Sequence, residues 1–362
     1  MKFTGFEHGM GIGGWFTNYK RFNVLPNDKR LVLTVGDFEH FDTYITEKDV
    51  AYIASLAMDH IRLGFDQIVV ESVPYTYRDH IFELIANFVG WCKKYNLNVV
   101  LNLHKAIGNY CDIEEEVELL DSNELQERFI ALWVEFEKRF ANCPEVAFEL
   151  LNEVRNIDSE KWNNLAEKTL NVIRSMNKTR KVIIGSKGWN SVHCLKELRV
   201  YDDENVIYTF HMYAPNEFTH QRGVLQAPQL FYNRVMPYPC DDIERYRDFH
   251  RVVENNENAY SGYKKMDERF INDDMAPALD FMKKYPNKIL WLGEFGTIRH
   301  ADIKSRENYM RDVIRFCLNH DISYCVWNYL STPNDGNRFS LVDDDTRKIL
   351  SEEMAHIIRG DI

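Results

Sequence analysis

Two glutamates, each late in a short apolar run, are the residues of this chain best placed to do chemistry. The runs are Val146-Ala147-Phe148-Glu149-Leu150-Leu151-Asn152-Glu153 and Lys288-Ile289-Leu290-Trp291-Leu292-Gly293-Glu294-Phe295-Gly296. Both read as buried strands that end in an acid. Burying a carboxylate costs free energy unless it is paired, solvated by a cleft or at work. Two carboxylates facing one another divide labour by environment: one keeps its proton and the other stays ionised. Glycoside hydrolysis needs that division. An acid protonates the departing oxygen while a carboxylate attacks the anomeric carbon or activates a water there.

Companion residues suit this chemistry. Asn152, beside Glu153, is placed to hold a sugar hydroxyl, and Arg62 to keep Glu294 ionised. Tyr213 can donate to the attacking oxygen, while His211 and His104 can fix the acid or the sugar. Trp327 offers an apolar face on which a pyranose ring can stack. Each residue taken singly has a plainer role: a structural ion-pair arginine, satisfied core histidines, packing aromatics, buried structural acids. Their coincidence at one place is the argument for a site.

That coincidence depends on the elements that carry them. From residue 46, strand-like runs alternate with helical periodicities. The helices are 46–56 (opened by the capping pattern Thr46-Glu47-Lys48-Asp49), 80–95, 124–141, 159–176, a short segment near 190–198, 275–285, 305–320 and 348–358. The strands are 60–65, 98–104, 146–153, 181–186, 206–213, 288–295 and 323–329, with an early one around 8–14. Eight such units predict a (β/α)8 TIM barrel, with a doubly wound sheet as the competitor. A barrel places its chemistry at the C-terminal ends of the strands. Arg62, His104, Asn152, Glu153, His211, Tyr213, Glu294 and Trp327 all fall there. Residues 214–272 lack a clean period and read as an insertion between strand 6 and helix 6, a lid or cleft wall within a single catalytic unit spanning 1–362.

Other chemistries fit less well. Gly9-Met10-Gly11-Ile12-Gly13-Gly14 matches G-x-G-x-x-G, but too little chain precedes it to supply the strand a dinucleotide site requires. Glycines that let side chains crowd beside the first strand are the better reading. No H-x-H, H-E-x-x-H or Cys/His cluster accompanies the histidines, and His8 stands alone on the first strand, so no metal and no cofactor are expected. Gly185-Ser186-Lys187-Gly188 is not a nucleophile elbow. The net charge of −12 disfavours a nucleic-acid partner, and no apolar run is long enough to span a membrane. Seven scattered cysteines without C-x-x-C read as reduced structural thiols. The segment Met1–Glu7 lacks an apolar signal core, so the expected location is cytoplasmic, or secreted with a signal removed before this numbering. A monomer is expected.

At these residues the chain resembles glycoside hydrolase family 5, the cellulase family of retaining (β/α)8 enzymes. The Asn-Glu pair ending strand 4 is matched by Leu150-Leu151-Asn152-Glu153, and the nucleophile motif of strand 7 by Leu292-Gly293-Glu294-Phe295-Gly296. The family's strand 2 arginine falls on Arg62, its strand 3 histidine on His104, its His-x-Tyr on His211-Met212-Tyr213 and its strand 8 tryptophan on Trp327. The match runs over roughly residues 6 to 358. In detail it is similar to bacterial endoglucanases with Gly13-Gly14-Trp15 in strand 1 and an insertion after strand 6. The resemblance implies a retaining, endo-acting β-glycosidase acting on cellulose-type or mixed-linkage β-glucan, with Glu153 as acid/base and Glu294 as nucleophile. Carboxyl groups about 5–5.5 Å apart are then expected. A β-mannanase, an exo-acting enzyme that trims oligosaccharides and a non-catalytic carbohydrate-binding barrel are the alternatives. Where many members carry His-x-x-Pro-Gly after strand 3, this chain has His104-Lys105-Ala106-Ile107-Gly108, so subsite contacts there do not carry over.

Overall fold

Eight parallel strands close into a barrel in chain order, β1 pairing with both β2 and β8. In the computed structural model they are β1 His8–Phe16, β2 His60–Asp66, β3 Asn98–Lys105, β4 Val146–Glu149, β5 Val182–Gly185, β6 Val206–Met212, β7 Ile289–Phe295 and β8 Ser323–Val326. The structure describes residues 1–17, 33–110, 117–331 and 336–362. Closure excludes the doubly wound alternative, and the (β/α)8 barrel expected from the alternation is the fold.

Period-two alternation sorts the strand residues between two cores. Ile61, Leu63 and Phe65 of β2, or Val99, Leu101 and Leu103 of β3, face the surrounding helices in one large apolar cluster. Val100, Ala147, Ile183, Ile207, Trp291 and Cys325 fill the barrel floor, which Phe3 and Phe6 plug from below as a stacked pair 4.2 Å apart. Above the floor the interior turns polar: Arg62, Asn102, Glu149 and Thr209 are fully buried there. Among the described residues these side chains close the barrel from below, so the polar layer opens toward the C-terminal mouth.

Several elements depart from the sequence expectations. Strand β4 ends at Glu149, so Leu150–Glu153 belong to the rim and not to the strand. Strand β8 likewise stops at Val326, one residue before Trp327. The helix expected from 275 starts at Glu268, where Asp267 accepts from the Arg269 amide as N-cap. The helix expected from 348 starts only at Glu352, because Ser351 caps it through the Met354 amide. The segment near 190–198 is a 3-10 turn at Val192–Glu197. A helix at Val35–Thr43 and a small hairpin pairing Glu71–Val73 with Thr76–Tyr77 had no expectation. The capping box at Thr46 forms as read, Asp49 accepting from both the Thr46 amide and hydroxyl at 2.8 Å. Six cysteines are free thiols, and Cys111 lies outside the described residues.

The segment after β6 carries short helices at Asn216–Thr219, Ala227–Tyr232 and Glu244–Glu254. It is tied to the barrel at its start and its middle. The Thr219 hydroxyl donates to the Tyr213 carbonyl at 2.5 Å, and the Ile298 amide donates to the Thr219 carbonyl at 2.9 Å. The amide of buried Tyr238 donates to the Ser305 hydroxyl oxygen at 3.0 Å, and its phenol donates to Asp312 at 2.8 Å.

Candidate active site

The deepest member of the site is Arg62, inward-facing on β2 and completely buried. Its Nε donates to Glu149 Oε2 at 2.6 Å, and its Nη2 to Glu149 Oε1 at 2.9 Å and to Asn152 Oδ1 at 2.7 Å. Its Nη1 donates to Glu294 Oε1. One guanidinium therefore joins β2, β4, the rim after β4, and β7. Burial works against its charge, but Glu149 and Glu294 outweigh burial and raise its pKa well above the usual value.

Glu294 reaches that guanidinium because of an irregularity in β7. Thr209 and Phe210 of β6 pair with Trp291 and Leu292, but the next partner of His211 is Glu294, one residue further on. The same extra residue appears against β8, where Val326 pairs with Phe295. Gly293 is the residue absorbed. A Cβ there would stand 2.4 Å from the Thr209 hydroxyl. Such a bulge reverses the facing of the residues beyond it, turning Glu294 inward where simple alternation would have turned it toward the helices.

Glu294 Oε2 accepts from the Tyr213 hydroxyl at 2.9 Å, just past β6. Burial first, and then the negative charges of Glu294 and Glu153, push the Tyr213 pKa well above its ordinary value, so the phenol remains a donor. His211 Nδ1 lies 3.0 Å from Glu153 Oε1 and 3.6 Å from Glu294 Oε2. Burial lowers the His211 pKa to about 4, with Arg62 adding to the effect and Glu294 and Glu149 opposing it. The ring is neutral at ordinary pH.

Glu153 itself has φ +46, a left-handed backbone, and its side chain remains partly exposed at the barrel mouth. One ligand atom each of Glu153, His211 and Glu294 lies within 4.8 Å of the other two, so the two carboxylates are close neighbours. Three residues so spaced also meet the distance requirement of a cation. Both oxygens of Glu294, however, already accept from Arg62 and Tyr213, and the guanidinium's charge stands beside them.

Trp327 is partly exposed and lies nearly parallel to His104, ring centroids 5.4 Å apart at 8°. Gly11 and Gly13 make room for it: a Cβ on either would come within 2.7 Å of the indole. The G-x-G-x-x-G match is thus a bed for an aromatic ring. His104 Nδ1 sits 3.0 Å from Asn102 Oδ1. Burial, with Arg62, Lys105 and His211 adding to it, lowers the His104 pKa well below 6.5.

All eight residues singled out in the sequence converge on one end of the barrel. Sequence reasoning missed Glu149, which supplies Arg62 with its two-pronged partner. Its signal was available: two residues after Ala147 in a strand, an acid faces the barrel interior. Asn190, whose amide nitrogen is 3.1 Å from His211 Nε2, was also missed.

Comparison with known proteins agrees with this geometry. The family model described as Cellulase (glycosyl hydrolase family 5) matches residues 27–332. Endoglucanase C of Acetivibrio thermocellus is 36% identical over 362 residues, with 98% of each chain covered. Cellodextrinase A of Ruminococcus flavefaciens is 28% identical, covering 86% of this chain and 81% of its own. Among solved structures, a hyperthermophilic endo-β-1,4-glucanase in complex with substrate superposes with TM-score 0.74 at 22% identity, covering 98% of this chain and 97% of the other. The endoglucanase Cel5A of Thermotoga maritima does so with TM-score 0.71 at 24% identity and the same coverage. The chain belongs to glycosyl hydrolase family 5, the cellulase family, and is a glycoside hydrolase.

Proposed function

We propose that this enzyme hydrolyses internal β-1,4 bonds of a glucan, cellulose-type or mixed-linkage, with retention of anomeric configuration. Glu294 is the nucleophile and Glu153 the acid/base. The observation that carries the mechanism is the carboxylate spacing. One oxygen of each carboxylate lies within 4.8 Å of the other, a closeness that supports the roughly 5–5.5 Å separation of retaining pairs over the roughly 6.5–9.5 Å that leaves room for an intervening water.

The donors divide the roles. Arg62 and Tyr213 both point at Glu294, which suits a carboxylate that stays charged and attacks. Glu153, nearer solvent, is suited to exchange a proton with leaving group and water. Trp327 gives the sugar beside the nucleophile a platform, and Asn152, held by Arg62, is set to meet a hydroxyl of that sugar. The insertion, anchored at Tyr213 through Thr219, forms a wall of the same cleft within one catalytic unit.

Relatedness to Endoglucanase C at 36% identity supports internal cleavage of glucan. The more distant likeness to Cellodextrinase A, 28% identical, supports trimming of short chains as the second reading. A panel of cello-, mixed-linkage and manno-oligosaccharides, together with the viscosity of soluble cellulose, distinguishes them. Internal cleavage predicts a fast fall in viscosity with few reducing ends released. Slow viscosity loss with disaccharide release from the outset, or preference for mannan, overturns the assignment.

A further inference from the structure

His211 stands between the two glutamates, and the location of its proton decides what it can do. A neutral imidazole carries one N–H and one bare nitrogen. Nδ1 faces Glu153 Oε1 at 3.0 Å and Glu294 Oε2 at 3.6 Å. An N–H at Nδ1 is attracted to both acids, whereas a bare Nδ1 could only accept from a protonated Glu153 and would face Glu294 unfavourably, so the proton is assigned to Nδ1 and Nε2 is bare. A bare Nε2 needs a donor, and the group facing it is the Asn190 amide, Nδ2 to Nε2 at 3.1 Å.

The turn that carries Asn190 has an uncommon backbone. Gly188, Trp189 and Asn190 have φ of +66°, +61° and +56°, three consecutive left-handed residues, where chains normally accept one. The turn is fastened to the chain just beyond Glu153. The Trp189 amide donates to the Val154 carbonyl at 2.9 Å and the Gly188 amide to the Arg155 carbonyl at 3.3 Å. Gly185, the last residue of β5, leaves the space: a Cβ there would be 2.4 Å from Asn190 Oδ1. Asn190 is fully buried, and its Oδ1 has no hydrogen-bond partner among the described residues. The amide thus leaves one of its own groups unsatisfied while presenting its N–H to His211, a disposition that packing alone does not require.

We propose that Asn190 is a positioning residue of the hydrolytic reaction, whose amide fixes the His211 tautomer and so keeps the acid's proton available to the leaving group. The inference rests on the assignment of Glu153 as acid/base. With N–H on Nδ1, His211 donates to Glu153 Oε1, and the carboxyl proton resides on the other oxygen, free to pass to the glycosidic oxygen. With the proton on Nε2, a bare Nδ1 accepts from the Glu153 carboxyl group and withholds that proton. The other titratable groups around His211 are Arg62 on β2, His104 on β3, Glu149 on β4, Tyr213 beyond β6 and Glu294 on β7. All of these are unchanged by a substitution at 190, so a change in proton location traces to the amide.

The test compares Asn190→Asp, which keeps the side-chain shape but accepts where the amide donates, and Asn190→Gly, which keeps the left-handed backbone and removes the amide. Each is assayed by kcat/KM on cellotetraose, whose leaving group needs a proton, and on 2,4-dinitrophenyl β-cellobioside, whose leaving group does not. Both variants are expected to lose about 10–100-fold on cellotetraose and no more than about threefold on the aryl glycoside, since only the first depends on general-acid catalysis. Nitrogen-15 shifts of His211 are expected to place the proton on Nδ1 in the wild type and on Nε2 in Asn190→Asp. Equal losses on both substrates, no loss on either, or a wild-type proton on Nε2 overturn the role of Asn190. A wild type inactive on both substrates overturns the functional reading on which that role rests.

Discussion

Arg62 and Glu149 form a two-pronged ion pair inside the barrel, Nε to Oε2 at 2.6 Å and Nη2 to Oε1 at 2.9 Å, with neither side chain exposed. Inside a protein such a pair gives a guanidinium a fixed orientation, because both prongs must be satisfied together. The remaining N–H groups of Arg62 are thereby aimed at Asn152 and Glu294. Glu149 is therefore expected to influence the reaction through the orientation of Arg62.

Removing that support leaves a buried cation short of its partner. Glu149→Ala is expected to destabilise the fold by about 3–5 kcal/mol, the usual cost of breaking a buried pair from one side. Urea unfolding at pH 7 measures it. Glu149→Gln, which keeps the shape, should retain more stability than Glu149→Ala yet lose activity through misdirection of Arg62. Stability within about 0.5 kcal/mol of wild type for Glu149→Ala, the range typical of surface changes, would contradict the arrangement.

Trp327 depends on the absence of side chains in β1. A Cβ at Gly11 would stand 2.7 Å from the indole, and one at Gly13 would stand 2.6 Å from it. Gly11→Ala or Gly13→Ala should therefore displace the ring, at an overpacking cost of about 1–3 kcal/mol. Activity should fall in proportion to lost sugar stacking. Trp327→Ala should raise KM for oligosaccharides without moving the protein's unfolding midpoint as far as the glycine variants do. Unaltered KM in Trp327→Ala would remove the platform from the account.

Acid should weaken the fold through its neutral buried histidines. Burial lowers His220 to about 4, and lowers His211 to about 4 in the charged setting described above. The unfolded chain binds protons near pH 6.5 that these folded rings refuse. Their contribution is therefore complete above pH 6.5 and is lost as pH falls toward 4, by about 3 kcal/mol for each ring. His250 in the insertion has the opposite sign. Burial opposes its charge, but Glu217 and Glu254 outweigh burial and raise it to about 9. That contribution is complete below pH 6.5 and disappears as pH rises through about 9. Unfolding free energies of wild type, His220→Asn and His250→Gln between pH 4 and 10 should show the first variant flatter in acid and the second flatter in alkali. Parallel curves for all three would contradict these assignments.

The barrel was legible in the sequence because its signals repeat. The long helices carry apolar stripes, as at Ile81, Phe82, Ile85, Phe88, Val89 and Cys92, and the strands are short and largely apolar, as at Val182–Gly185. The rim was legible for a different reason: polar and acidic residues such as Glu153, His211 and Glu294 interrupt apolar runs near their ends. What escaped depends on three dimensions. Gly293 stood in plain view inside a strand, a sign of a bulge, but only the two-sided register shift shows that it turns Glu294 inward. The end of β4 was read four residues too late because Leu150 and Leu151 continue the apolar run while leaving the ladder. Asn190 lies in a left-handed turn fastened to Val154 and Arg155, and its approach to His211 exists only in three dimensions.

The central claim is that Glu153 and Glu294 act together by double displacement, and the configuration of the first product tests it most directly. Proton NMR of a cello-oligosaccharide digest, recorded faster than mutarotation, reports which anomer is released. The account predicts the β-anomer first, with the α-anomer appearing only as the sugar equilibrates, and no turnover of either kind in Glu294→Gln. Initial release of the α-anomer, or turnover by Glu294→Gln near the wild-type rate, would contradict it.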